Sequence, residues 1–383
     1  MSMKRLQLMP RKRGSAGFTL VELMVGVGVG LLSTVVIATI LARSEQQKRN
    51  TMSGSDAQVA GALALFELEK EVKEAGYGLT SDTAGTGCTL TAKYAGAVIA
   101  GMPADLAPIV ITKTADKPDT VRVTKSTPSR FSIPSQVTAP LFNPVGGGSV
   151  ANTVTVKSNI GIAAGDLLAA VSGPADVKTG VGTCVVFQAT DVKDDHLGIG
   201  RTVDGAWNAL ATLPALSLDQ YVVNLGGLES STYTVEPVAA GSPIYALRNA
   251  QFTLKDRAVV TRVVQNGVVD LKAFYGVDTD ADGVVDKYVS DTPTSVEGWQ
   301  QVRSVRMALL TRSEQFEKDK VTVSEPLWDV GKVADVPGTE DCGASKCVKL
   351  NPKVATDWEH YRYKVFEVVI PIRNQLWRSD LKS

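Results

Sequence analysis

The densest set of potential ligands in this sequence is Asp278-Thr279-Asp280-Ala281-Asp282-Gly283-Val284-Val285-Asp286. Four alternating carboxylates, with a glycine that permits a sharp turn, suit a hard cation with oxygen ligands, and calcium is the expected one. Asp278, Asp280, Asp282 and Asp286 would ligate through side chains and Val284 through its backbone carbonyl. Val289 stands at the twelfth position, where a helix-flanked calcium loop carries a bidentate glutamate, and Asp291 is a possible substitute. Val268–Tyr275 before the loop reads as a strand, so a calcium loop on a hairpin is expected, and an acidic turn without metal is the plain alternative.

The other reactive residue types are sparse. Cys88, Cys184, Cys342 and Cys347 form an even set. A local Cys342–Cys347 bridge is the simplest pairing and leaves Cys88 with Cys184, provided the chain is exported. One C-x₄-C unit without a matching second is weak support for zinc. His196 and His360 are the only histidines and have no metal-ligand spacing. Neither a Gly-x-Ser-x-Gly elbow nor a phosphate-binding Gly-x-x-x-x-Gly-Lys loop occurs, and no catalytic carboxylate pair stands out. The expectation is a protein that is not an enzyme.

The N-terminal region decides the compartment. Residues 18–42 form an apolar run broken only by Glu22 and a few hydroxyls, long enough to span a bilayer as a helix. Residues 1–17 before it hold Lys4, Arg5, Arg11, Lys12 and Arg13 and no acid, a charge bias that keeps such a segment cytoplasmic. Removing these five leaves 35 basic against 40 acidic residues, a poor balance for general nucleic-acid binding. A secretory signal places its apolar stretch before the cleavage site. Here the order is inverted, so a cut after Gly17 would remove the charges and retain the anchor.

The string GFTLVE at this position resembles the processing site of type IV prepilins and of type II secretion pseudopilins. That resemblance implies a prepilin peptidase cut between Gly17 and Phe18 and methylation of the new Phe18 amine. It also implies a role for Glu22: attracting the N-terminal amine of a neighbouring subunit and setting axial register in a filament. On physics alone, a carboxylate in a membrane helix costs roughly 2.5–3.5 kcal/mol near the centre. The positive helix N-terminus reduces that cost, and snorkelling to the headgroups is the plain alternative role. Later segments, LFELEKEVKEAGYGL, VVDLKAFYGVDTDADGVVD, VFEVVIPIRN and, more weakly, WQQVRSVRMALLTRS, resemble the PilW-type minor pilins.

The elements that position these residues follow from periodicity. No proline occurs between Phe18 and Gly76, and Leu65, Leu68, Val72 and Ala75 fall on one helical face. Glu69–Lys73 and Lys70–Glu74 are expected i,i+4 pairs. The helix therefore has a transmembrane half, 18–42, and an amphipathic half, 43–76, ended by Gly76 and Gly78. Gly26, Gly28 and Gly30 weaken the membrane half, and whether they serve close packing or local unwinding is open. From 77 to 383, short β-branched runs between Gly, Pro, Asp and Asn predict a β-rich head, with a long loop or subdivision near 134–149. Residues 300–312 and 362–372 read as long strands. The expected fold class is α+β, a long N-terminal helical spine with a β-rich globular head.

By resemblance, the chain is expected to be a minor pilin-like subunit that assembles or initiates a type IV pilus. It would be stored in the inner membrane with its head in the periplasm and then move into the pilus. Its implied partners are prepilin peptidase, other minor pilins, the major pilin, the inner-membrane assembly platform and membrane lipid. Alternatives are a minor pseudopilin of type II secretion and a tip-displayed adhesin or binding module. Residues 90–250 resemble nothing nameable.

Overall fold

The computed structural model describes residues 17–79, 85–126, 134–138, 153–193, 197–202, 204–208, 218, 220–332, 334–354 and 356–376. The basic leader and most of the predicted 134–149 loop lie outside these residues. The chain divides into two units, residues 1–53 and 54–383.

Helix α1 runs from Leu20 to Glu74. In the first unit it carries one candidate membrane span, Leu20–Glu45, with mean hydropathy 2.3 and no buried side chains. The hydroxyls of Ser33, Thr34 and Thr39 donate to the carbonyls of Val29, Gly30 and Val36 at 2.7–2.8 Å. These polar groups are therefore satisfied within the helix, as a lipid surround requires.

In the second unit α1 buries Ala57, Ala60, Gly61, Ala64, Leu68 and Val72, and Ala75, just past its end, is buried as well. The face is smaller in side-chain volume than the sequence reading expected. Leu65 lies at its margin and is only partly buried, because Ala64 and Gly61 take the central positions. A Cβ built on Gly61 would sit 2.2 Å from the Phe366 ring, so only glycine lets that aromatic reach the helix backbone. Glu69 and Lys73 pair at 2.5 Å, whereas Glu74 turns to Lys125 at 2.6 Å, away from the expected Lys70. Lys125 lies on a head strand and offers a partner beside the helix end.

Two five-stranded sheets pack with α1 in one core. The first has the order Ala258–Asn266, Tyr245–Thr253, Glu229–Pro237, Thr120–Lys125 and Ile109–Thr112, antiparallel throughout. The second has the order Ala334–Asp335, Lys287–Val289, Val268–Val277, Val302–Arg312 and Tyr363–Pro371. The expected strand start at residue 300 is moved to Val302 by a short helix, Val296–Gln301, capped by the Ser295 hydroxyl accepting from Gly298 N–H.

The segment between the early and late head strands builds a third sheet, in the order Thr89–Thr91, Thr183–Gln188, Leu167–Ser172, Tyr221–Asn224 and Ser135–Gln136. Leu167, Ala169 and Val171 enter one apolar cluster, while Leu168 and Ala170 enter another on the opposite face. This is the two-residue period of a strand buried on both sides. A Cys88–Cys184 disulfide ties the start of this sheet together inside the first of these clusters. A second bond, Cys342–Cys347, closes the tip of the Thr339–Cys342/Ser345–Lys349 hairpin.

The helix seat yields a paired test. Gly61→Ala should destabilise the head by roughly 1–3 kcal/mol through overpacking against Phe366. Gly54→Ala, where nothing lies within 4 Å, should stabilise by up to about 1 kcal/mol through helix propensity. Chemical denaturation of the two variants measures both, and equal effects would show that the Phe366 contact does not set the helix position.

Candidate functional site

The N-terminal site starts at Gly17 and at Phe18, whose ring is exposed. Thr19 and Glu22 form a reciprocal cap. The Thr19 N–H and hydroxyl each donate to Glu22 Oε2 at 3.0 Å, and Glu22 N–H donates to Thr19 Oγ1 at 3.2 Å. Both residues satisfy backbone donors that a helix start leaves free. The sequence reading gave Glu22 a role and passed over Thr19. Thr19-x-x-Glu22 ahead of an apolar run was the signal that could have found it.

The aspartate loop closes the hairpin in which Val277 pairs with Lys287. Asp278 is buried and tied on several sides. Its Oδ1 accepts from Ala281 N–H at 2.7 Å, and its Oδ2 accepts from Gly283 N–H at 3.0 Å and Arg303 Nε at 2.9 Å. Its own N–H donates to Gln301 O at 2.9 Å. Gly283 adopts φ +90°, a region that other residues avoid, and this turns its N–H toward Asp278. Asp286 Oδ2 accepts the Thr279 N–H and hydroxyl, both at 2.6 Å, which hold its carboxyl below the usual carboxylate range.

Oxygens of Asp278, Asp280 and Asp286 come within 4.8 Å of one another. Asp282 is not in this group of three. Its Oδ1 caps Val284 N–H at 2.7 Å, two residues on, and Asp280 likewise takes Asp282 N–H at 3.2 Å. These short-range turn bonds compete with convergence on one centre. Val284 presents an exposed side chain, and Asp291 receives the Ser290 hydroxyl at 3.1 Å.

Asp329, Cys342 and Cys347 also lie close enough to share a metal. Both sulfurs are joined in the disulfide, however, and zinc requires free thiolates. His360 stacks on Phe316 at 4.8 Å and its Nδ1 lies 2.8 Å from Glu317 O, a packing role. His196 lies outside the described residues.

Sequence reasoning missed a charge cluster built on two buried aspartates, Asp119 and Asp270. Lys113 Nζ reaches Asp119 Oδ2 at 2.7 Å and Ala273 O at 2.9 Å. Burial lowers the Lys113 pKa against the pull of Asp119. Asp270, fully buried, accepts Leu271 N–H at 2.9 Å and Asn351 N–H at 2.7 Å. Burial pushes its carboxyl up to about 6, against the opposing effects of Lys272 and the Asn351 N–H. Perturbed groups of this kind often mark catalysis. Here both aspartates accept backbone N–H groups, Asp119 from Ala273 at 2.9 Å, so the cluster joins the 113–119 segment and residue 351 to the Val268–Val277 strand.

A single apolar helix leading into an α+β head is the architecture of a membrane-anchored protein with a folded domain. Residues 232–374 match the family model for PilW, the type IV pilus-assembly protein W. The match takes in the second head sheet from Val268 to Pro371, the aspartate loop and the Cys342–Cys347 hairpin. It supports a PilW-like protein with a role related to type IV pilus assembly. A search of curated proteins and of solved structures found no match.

The Asp270 environment predicts a pH effect with a definite sign. Its folded pKa lies above the unfolded value, so its contribution favours folding when protonated and is lost as pH rises through about 6. A shift of this size corresponds to roughly 3 kcal/mol. Asp270→Asn should flatten this part of the stability profile between pH 4 and 7, although it removes one backbone acceptor. Denaturant midpoints of wild type and variant across that range decide the matter, and parallel profiles would contradict it.

Proposed function

We propose that this chain is a minor pilin-type structural subunit, not an enzyme, that helps assemble or initiate a type IV pilus. The observation that carries the reading is the position of Gly17-Phe18-Thr19-Leu20-Val21-Glu22 at the very start of an apolar helix. Prepilin peptidase cuts between Gly17 and Phe18, and the retained helix holds the subunit in the inner membrane with its head in the periplasm. The new Phe18 amine is methylated, and Glu22 attracts the amine of a neighbouring subunit. Other minor pilins, the major pilin and the assembly platform are its partners. The PilW match favours a pilus over a type II secretion pseudopilus.

Mass analysis of the mature N-terminus should give Phe18, and a start at Met1 or beyond residue 42 would overturn the reading. Glu22→Ala should be processed normally yet lower piliation sharply. Normal pili in that variant would remove the register role and leave Glu22 as a helix cap. Intact piliation with lost surface attachment in a deletion strain would instead favour a tip-displayed binding module.

The same reading includes weak calcium binding by Asp278, Asp280 and Asp286. The Arg303 guanidinium, 2.9 Å from Asp278, opposes a cation, so affinity belongs at the extracellular end of the range, about 10⁻⁴–10⁻³ M. Several millimolar calcium should raise the melting temperature through roughly 1–2 kcal/mol of mass action. Asp280→Ala should abolish that rise and Asp282→Ala should retain most of it. If calorimetry detects no calcium heat and the melting temperature is unmoved, the loop is an acidic turn.

A further inference from the structure

The two edges of the first head sheet are built differently. At Ile109–Thr112 the outward backbone groups are occupied by side chains. Ile111 N–H donates to the Tyr275 hydroxyl at 2.7 Å, and the Thr292 hydroxyl donates to Ile111 O at 3.0 Å. The opposite edge, Ala258–Asn266, pairs with Tyr245–Thr253 on one side only among the described residues. Ala258 to Val263 keep unbroken register with Thr253 to Arg248, and an irregularity follows at Val264. In an antiparallel pair, alternate residues turn N–H and C=O away from the partner strand, so this stretch presents a row of strand-pairing groups that no described residue occupies.

Edge strands are commonly guarded by lysine, proline or a mid-strand bulge. Ala258–Val263 has no lysine or proline, and its one charge, Arg262, pairs with Glu67 of α1. Val260 is 67% exposed on one face, and Val259 and Val263 are 44% and 45% exposed on the other. Leu63 and Phe66, close to Glu67 in the α1 sequence, are exposed as well.

Resting on the pilus-assembly reading above, we propose that Ala258–Val263 is a docking edge for a strand of a different pilus-assembly subunit. That strand adds to the first sheet as a sixth member, its backbone pairing with the free edge and its β-branched side chains covering the exposed valines. Head-to-tail extension by a second copy would need the Ile109–Thr112 edge, which Tyr275 and Thr292 fill. Pairing of Ala258–Val263 with the same edge of a second copy is the competing occupant, and the test distinguishes it.

The test places a photo-crosslinking amino acid at Val260 in the full-length chain, in cells that assemble pili, and maps the joined peptides by mass spectrometry. The expected product is an extended segment of another prepilin-type subunit. Its yield should fall at least fivefold in Val263→Lys and in Thr261→Lys variants whose melting temperatures match the parent. In the isolated adduct, alternate amides between 258 and 263 should exchange more slowly than in the free chain. An adduct with a second copy, or one without amide protection, overturns strand addition. If Val260 gives no adduct but the same amino acid at Leu63 joins a pilin-type subunit, the docking edge fails while the assembly reading stands. If neither position gives an adduct in piliated cells, both fail.

Discussion

One face of α1, from Ala57 to Val72, is the surface on which both head sheets close. Leu68 and Val72 are fully buried there, and each contributes roughly 1.5–3 kcal/mol by leaving water. The small residues of that face decide how near the sheets can come. Ala57 O accepts the Thr311 hydroxyl at 3.1 Å, and Gly61 admits the Phe366 ring against the helix backbone. Thr311 and Phe366 belong to adjacent strands of the second sheet, so the helix fixes that sheet at two points. Ion pairs at the margin, Lys125 with Glu71 and Glu74 and Arg262 with Glu67, link the same helix to the first sheet. The more exposed pairs, Lys125–Glu74 and Arg262–Glu67, add at most about 1 kcal/mol each and orient the helix more than they hold it, whereas Lys125–Glu71 is largely buried.

The aspartate loop depends on this seat through a short chain of contacts. Val268–Val277 and Val302–Arg312 form the centre of the second sheet, and their buried faces share the core with α1. The loop leaves the first of these strands at Asp278 and is bound to Gln301, just before the second, and to Arg303 within it. Its carboxylates are held by a packed scaffold as well as by their own turns. The buried Asp270 and Asp119 do similar work further along the same strand, where they fasten distant loops to it.

The elements legible in the sequence are those with strong local signals. The apolar helix, the hairpin around the aspartates and the long late strands all follow from periodicity and turn residues, with ends shifted by a few positions. The small-residue face of α1 was not legible, because alanine and glycine carry almost no periodic hydrophobic signal until a partner such as Phe366 is placed. Lys125 could not be preferred over Lys70 as the partner of Glu74, since only the fold brings it near. Asp282 shows a further limit: alternation suggested convergence, but a carboxylate two residues before an N–H caps it at no cost in distance. The third sheet was legible only in part. Its strand Thr183–Gln188 follows from a β-branched run, but the central strand Leu167–Ser172 is apolar on both faces, so the alternation that marks a one-sided strand is absent.

Glu22 joins the local and assembly levels of the argument. In the single chain its carboxylate is already satisfied by Thr19, and loss of such a cap costs on the order of 1 kcal/mol. The bonded atom is Oε2, and the acceptor capacity of a carboxylate is about four lone pairs. A neighbouring amine therefore need not break the cap in order to reach Glu22. In a low-dielectric surround an unpaired carboxylate is costly, so an ammonium partner is favoured there provided the remaining oxygens stay hydrogen-bonded. On the proposed assembly reading, the Thr19–Glu22 cap holds the carboxylate at the helix N-terminus, satisfied while the subunit is alone. The incoming amine then adds to a carboxylate already in place, and the helix need not be rebuilt when subunits meet.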